Sequence, residues 1–415
     1  MKKFARSGRI IAALVLGTSL TITASPAAFA KKKKTQTPDF TLSVAFRSAA
    51  REIQTALDTG DTATANARIE SLGGLAQTPA EKYTAAALRM QLAGKLSDVQ
   101  AQRKALTAML QSGGAPSSDL PYLRYLAGYF SYVLNDMNDA IAQLTYARQL
   151  GYAGPQVTLL LADANIRLKK NSEGLALVSE AMKQQRAAGG SIGQPWYDRA
   201  AAISYAMKDW SGVAGWYRLK LADYPTPENW RSAISNYMAN PALNAAMKLD
   251  LYRLLTANGA LASERDYQAY AEAAVQNGQY GEAKAIIEAG RAGGKLLSND
   301  AATASIYKTA SARATKNKAA LTALAAKAGG ASEAADAYLA WGDYARAAEL
   351  YRAALKQTPA DPGQVNTRLG IALARAGNVE EARKALAAVT GSWSDVAQFW
   401  LLWVNQKPAA QPAKA

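Results

Sequence analysis

Two segments near the end of this chain repeat one another. Residues 342–361 read GDYARAAELYRAALKQTPAD, and residues 369–389 read LGIALARAGNVEEARKALAAV. Placing Gly342 over Gly377 offsets the segments by 35 residues and brings small residues over small ones and a bulky residue over a bulky one. The aligned pairs are Ala335 with Gly370, Ala347 with Ala382, and Tyr351 with Leu386. This pattern predicts one helical hairpin per repeat, because two antiparallel helices cross closely only where small side chains face each other.

The same frame recurs through most of the upstream sequence. Its turn positions are Gly60, Gly94, Asn135, Lys169, Lys208 and Gly278, and Gly60 and Gly94 are 34 residues apart, as are Asn135 and Lys169. Two weaker units fill the remaining gaps. One would turn at Asn240 and Pro241, and the other would lie within residues 299–327. A single hairpin leaves an apolar face exposed, so we expect about ten hairpins to stack over residues 40–404.

This order of small, turn, small, bulky and small residues resembles the tetratricopeptide repeat, whose period is about 34 residues. The resemblance implies an all-α fold, a right-handed α-α superhelix (solenoid) of about ten such hairpins. In this family the first helix of each hairpin lines the concave face, and its groove-facing side chains select the ligand. The resemblance therefore also indicates which positions of this sequence could bind a partner.

The last apolar segment, SWSDVAQFWLLWV, predicts one more helix. Trp393, Val396, Ala397, Trp400 and Val404 fall on one face of it. A stack of hairpins needs a helix to cover its final apolar face, so we predict a C-terminal capping helix. A docking helix for a partner is the alternative. Residues 405–415 are polar and contain proline, which predicts a disordered tail.

The first thirty residues have the three parts of a secretory signal peptide: a basic start, an apolar stretch and small residues at Ala28 and Ala30. Cleavage after Ala30 would deliver the protein to the periplasm or the medium, and an uncleaved anchor is the alternative. Residues 31–39 then form a basic arm. Its lysines could weakly contact an anionic surface: Lys31, Lys32, Lys33 and Lys34.

Composition excludes several kinds of chemistry. The chain has no His and no Cys, so it cannot assemble a histidine-activated nucleophile, a thiolate nucleophile or a thiolate or imidazole metal site. We expect no cofactor, no metal and no enzymatic activity, although carboxylate catalysis stays open as a third hypothesis. Without the eight basic residues of the signal peptide and the arm, the formal charge falls from +16 to +8. That excess is mild for the length, and we expect no nucleic-acid partner.

Four tyrosines mark the candidate binding face. Tyr122, Tyr125, Tyr129 and Tyr132 follow one another at steps of three, four and three, which keeps them on one face of a helix. The resemblance places them, together with Asp163 and Tyr205 of other units, among the groove-facing positions. Each tyrosine offers an apolar ring and one hydroxyl, which suits an extended peptide or a sugar ring. Packing in the core is the alternative reading of the stripe.

The sequence therefore predicts an exported scaffold or adaptor of the cell envelope that binds a protein or peptide along its concave face. A glycan-binding module for polysaccharide export or wall assembly, with the tyrosine stripe as its platform, is the alternative.

Overall fold

The computed structural model describes residues 41–407 apart from 315–317, 328 and 358–360. Regular secondary structure in this part of the chain is entirely helical, which confirms the predicted all-α fold class. The predicted signal peptide, the basic arm with its four lysines and the tail beyond residue 407 lie outside the described residues. No helix in the described ranges is both long and apolar enough to cross a membrane.

The chain divides into two compact units, residues 1–192 and 193–415. The first unit contains four helical hairpins in its described part. Their helices are α1 (Val44–Thr59), α2 (Thr62–Leu75), α3 (Pro79–Lys95), α4 (Val99–Gln111), α5 (Leu120–Val133), α6 (Met137–Gln149), α7 (Pro155–Arg167) and α8 (Asn171–Ala187). Each helix packs against the next one in sequence from α1 to α8, as expected of stacked hairpins.

Small residues set the closest helix crossings, as the repeat pattern predicts. A Cβ atom added at Gly128 of α5 would lie 2.5 Å from Cγ of Leu144 in α6. The equivalent pair near the end of the chain is Gly370 and Leu386, where the added Cβ would lie 2.4 Å from Cγ. A larger side chain at either glycine would force the two helices of its hairpin apart.

One predicted turn is wrong. Gly94 lies inside α3, and the left-handed turn residue of the second hairpin is Ser97, with φ 57°. The predicted turns at Gly60, Asn135 and Lys169 do have positive φ. The regular spacing of 34 favoured Gly94, but α3 continues one residue beyond it, so the second repeat is longer than the sequence spacing indicated.

The second unit contains the other helices. They are α9 (Gln194–Ala206), α10 (Trp210–Asp223), α11 (Pro227–Tyr237), α12 (Ala245–Ala257), α13 (Glu264–Gln276), α14 (Tyr280–Ala292), α15 (Ala301–Arg313), α16 (Lys318–Ala325), α17 (Gly330–Ala340), α18 (Tyr344–Lys356), α19 (Pro362–Arg375), α20 (Val379–Ala387) and α21 (Ser394–Asn405). The weak unit predicted within residues 299–327 corresponds to α15 and α16. Their main packing partners are neighbouring helices, since α15 packs on α14 and α16 packs on α17.

The predicted capping helix is α21, and its aromatic face is buried. It packs on α19 and α20 and also reaches α10 and α12, which belong to the first two hairpins of the same unit. The second unit therefore closes on itself through its last helix.

Candidate binding site

The four tyrosines of α5 lie at one side of the helix and are all half-buried. The other sides of α5 are buried, and their residues include the small Ala127, Gly128 and Ser131. Tyr122, Tyr125 and Tyr129 pack against a core cluster that includes Ala86 and Ala87 of α3. Each ring is thus packed against the core on one side and partly exposed to solvent on the other. This position combines features of both hypotheses, a groove-facing stripe and a core-packing stripe.

A fifth tyrosine completes an aromatic cluster at the start of this stripe. Tyr152, in the connection between α6 and α7, stacks on Tyr125 with ring centroids 4.5 Å apart and an interplanar angle of 19°. Tyr122 lies 6.3 Å from Tyr125 and 6.1 Å from Tyr152. Tyr152 was not predicted as a site residue because it lies in a loop, outside the repeat frame.

The hydroxyls of Tyr125 and Tyr152 stay protonated at neutral pH. Burial raises the pKa of Tyr125, and the adjacent Tyr122 and Tyr129 add to the rise. Burial also raises the pKa of Tyr152 to about 12, with Tyr125 and Tyr122 contributing. Tyr125 and Tyr152 therefore present neutral hydroxyls that can donate and accept hydrogen bonds.

The other end of the stripe is charged. Tyr132 is hydrogen-bonded to Asp163 of α7, and the Arg167 Nε donates to Asp163 Oδ2 at 3.0 Å. Arg167 also donates to the Tyr132 hydroxyl at 2.7 Å and lies over its ring at 4.5 Å. The structure thus brings two predicted site residues, Tyr132 and Asp163, together and adds the exposed Arg167, which was not predicted.

Polar side chains form a row of equivalent sequence positions in the first helices of all four hairpins. Gln54, Gln91, Tyr129 and Asp163 each stand six residues before the left-handed turn residue of their hairpin. The two glutamines exchange hydrogen bonds of 3.2 and 3.3 Å. Gln54 is buried, whereas the other three are half-buried.

The repeat spacing of 34 predicts a turn at Gly94, which puts the buried Leu88 in this row in place of Gln91. The available signal was Ser97 followed by Asp98, which parallels Asn135 followed by Asp136.

Tyr205, the last predicted site residue, belongs to α9 of the second unit. Its side chain is 46% exposed and meets the Trp210 ring edge-on at 5.0 Å. It therefore lies outside the row of the first unit.

The second unit holds a buried ionic network that sequence reasoning did not find. Arg253 donates to Asp250 at 2.6 Å and to both oxygens of Glu282 at 2.8 and 2.6 Å. Arg368 of α19 donates to the other oxygen of Asp250 at 3.0 Å and to Asp336 at 2.6 Å.

Burial alone would lower the pKa of Arg253, but Glu282 and Asp250 outweigh it and hold the pKa well above its usual range. A cavity of about 160 Å³ lies beside Arg253, Glu282 and Trp400. The acidic and basic groups of the network bind one another, so the network reads as structural.

Comparison with known proteins agrees with the repeat pattern. The protein-family model for the tetratricopeptide repeat matches residues 338–401, where the sequence repeat is clearest. No curated protein sequence matches the chain.

Several solved structures resemble it at low sequence identity. A tetratricopeptide repeat protein from Parabacteroides merdae is 11% identical over 71% of this chain and 99% of that chain, with a TM-score of 0.32. PilF of Pseudomonas aeruginosa is 14% identical over 56% and 90%, with a TM-score of 0.27. The TPR2AB domain of yeast Sti1, in a complex with pHSP90, is 12% identical over 70% and 100%, with a TM-score of 0.25.

Proposed function

This chain is a tetratricopeptide repeat protein, and from that premise we propose that it is an exported scaffold of the cell envelope that holds a peptide segment of a partner protein. Its repeat fold suggests a protein-interaction scaffold, and proteins of this family are generally non-catalytic. The peptide lies along the tyrosine face of the first unit, which we define as Tyr122, Tyr125, Tyr129, Tyr132, Tyr152 and Asp163. The protein turns over no substrate.

The half-buried state of the tyrosine face carries this proposal. Rings fixed on one side by the core lose little conformational freedom when a ligand covers their other side. Stacking already orders Tyr125 and Tyr152 at 4.5 Å, and Asp163 and Arg167 already order Tyr132. A preorganised face of this kind loses little binding energy to ordering.

An extended peptide suits the chemistry of this face. Such a peptide presents apolar side chains and unpaired backbone amides at regular intervals. The rings offer apolar contact area, and the hydroxyls pair with backbone carbonyls and N–H groups.

The aromatic cluster also supports a second candidate, glycan binding. Sugar rings stack on aromatic plates, and Tyr122, Tyr125 and Tyr152 lie within 6.3 Å of one another, ring centre to ring centre. Peptide binding and glycan binding can be distinguished by identifying the molecule that crosslinks to the tyrosine face.

The proposed location rests on the first thirty residues, whose pattern is that of a signal peptide. We further propose that Lys31 to Lys34 contact an anionic lipid or polysaccharide surface, in which case salt would weaken the attachment.

Crosslinking in intact cells tests the function. A photoreactive residue replaces Val133, which is 46% exposed and stands one turn after Tyr129 on the same helix. We expect a discrete envelope protein to be captured, and Tyr129→Ala in the same chain to reduce that capture at least tenfold. Fractionation of the same cells tests export.

The matched control places the photoreactive residue at Tyr146, which is 44% exposed on α6. Equal capture at both positions would contradict a specific face. Capture of glycan alone would favour the second candidate, and unchanged capture in the Tyr129→Ala chain would make the stripe a packing feature.

A further inference from the structure

The aromatic face of α21 is buried against other helices of the second unit. Trp393, which directly precedes the helix, is buried. Six residues of the helix itself are also buried: Val396, Ala397, Phe399, Trp400, Trp403 and Val404. A helix that only capped the last hairpin would bury a face against α19 and α20. The burial here is wider, because α21 is covered from a second direction.

The second set of contacts comes from helices far upstream in sequence. Arg218 of α10 donates to Asp395 at 2.8 Å, and Tyr237 of α11 donates to the other oxygen of Asp395 at 3.4 Å. The Phe399 ring lies 5.3 Å from the Tyr237 ring and 5.6 Å from the Arg218 guanidinium.

Two bonds to the backbone fix the rest of the helix. The Trp400 indole N–H donates to the Asp250 carbonyl oxygen at 3.1 Å. Gln406 Nε2 donates to the Leu221 carbonyl oxygen at 2.8 Å. The upstream helices therefore contact the segment of α21 at its start, its middle and its end.

We propose that the surface formed by α10, α11 and α12 is a helix-binding groove and that α21 of the same chain is its resident ligand. In this groove Asp395 forms an ion pair with Arg218, and Phe399 and Trp400 fill the apolar part. Gln406 forms a hydrogen bond at the far end. The occupied groove keeps the second unit closed to partner proteins, so this inference goes beyond the proposed function, which concerns the first unit.

The connection to α20 allows α21 to be treated as a separable segment. Residues 388–393 join the two helices, and Gly391 in this connection has a φ of 72°. A chain that ends at Val389 lacks α21 and leaves the groove open, and a synthetic peptide of residues 391–407 supplies the helix in trans.

Titration calorimetry with this peptide tests the proposal. We expect one peptide to bind per truncated chain and none to bind the full chain, whose groove is occupied. A peptide with Trp400→Ala should bind at least tenfold more weakly, and so should a peptide with Asp395→Lys, which meets Arg218 with a like charge. A peptide with Gln398→Ala, a substitution away from these contacts, is the control and should bind as the unchanged peptide does.

Binding of the peptide to the full chain with the affinity of the truncated chain would overturn the proposal. So would a folded truncated chain that binds no peptide.

If the truncated chain does not fold, a protease site inserted after Thr390 in the full chain replaces it. After cleavage, we expect α21 to stay bound through gel filtration and to exchange for labelled peptide. Loss of α21 on the column from a chain that stays folded would overturn the proposal, because a resident ligand has to hold without the covalent link.

Discussion

Glu81 fastens the start of α1 to the start of α3. Its carboxylate is 1% exposed and accepts hydrogen bonds from the backbone N–H groups of Ser43, Gln77 and Thr78 at 2.9 to 3.0 Å. The bond from Thr78, followed by those from Ser43 and Gln77, outweighs burial and lowers the pKa of Glu81 to about 2.

Because folding lowers the pKa of Glu81, the carboxylate stabilises the fold above its ordinary pKa of 4.5, and this stabilisation is lost as the pH falls toward 2. We expect Glu81→Gln to lower the free energy of unfolding by about 2 kcal/mol at pH 7, since it removes charge-assisted hydrogen bonds. The difference between the two proteins should disappear near pH 2. Urea denaturation at pH 7, 4 and 2 measures it, and Glu70→Gln on the exposed side of α2 is the control.

Asp250 is the centre of the buried network of the second unit. It is fully buried, bonds both Arg253 and Arg368, and offers its carbonyl to Trp400. Arg368 comes 118 residues later in the chain, so the pair ties α19 to α12.

Asp250→Asn should lower the free energy of unfolding by about 3 to 5 kcal/mol, because it leaves two buried guanidinium groups without a shared counter-charge. The control is Glu380→Gln, which breaks the exposed pair of Glu380 with Arg383 and should cost less than about 1 kcal/mol. Thermal unfolding followed by circular dichroism compares the two variants. Similar losses for both would contradict a central role for Asp250.

At the scale of the helical element, the hairpin turns share one local design. Eight hairpins turn through a left-handed residue that directly precedes the N-cap of the second helix: Gly60, Ser97, Asn135, Lys169, Lys208, Gly278, Gly342 and Gly377. In five of them that N-cap is an aspartate whose side chain accepts a backbone N–H three residues on: Asp61, Asp98, Asp136, Asp209 and Asp343.

A lysine in the left-handed region carries a steric cost that glycine avoids. Lys169 has a φ of 62°, so we expect Lys169→Gly to raise the free energy of unfolding by about 0.5 to 1 kcal/mol. Lys183→Gly, at an exposed site inside α8, should instead lower it by about 1 kcal/mol. Chemical denaturation of both variants tests the opposite signs.

On the scale of the whole molecule, the two units are built differently. Packing in the first unit joins helices that are close in sequence, whereas the second unit adds contacts between residues 118 to 185 positions apart. Contacts of this range make the helices that share them open together, so the last helix and its upstream partners should form one cooperative block.

Hydrogen exchange followed by mass spectrometry can detect this block. Trp400→Ala removes a fully buried side chain from the closure, and we expect the opening free energy of α12, α19 and α21 to fall together by about 3 kcal/mol. Exchange in α1 to α8 serves as the internal reference. A loss of protection confined to α21 would show that the closure is not cooperative.

Local sequence patterns were enough to predict the hairpins, most of their turns and the stripe on α5. Helical period, small residues such as Gly128 and turn residues such as Asn135 act within about one repeat, so their effects can be read locally. The same local signals indicated the tyrosines as one face. They placed one turn wrongly, at Gly94, because α3 is longer than the repeat spacing of 34 residues indicates.

No local pattern predicts which residues meet across distant repeats. The stacking of Tyr152 on Tyr125, the bond of Tyr132 to Asp163 and the position of α21 against α10, α11 and α12 depend on how the hairpins pack. The ionic network of Asp250 has no periodic signal, since buried and exposed charges look alike in a sequence. Burial turns Arg368 and Asp250 into a structural pair, and burial is a property of the folded chain alone.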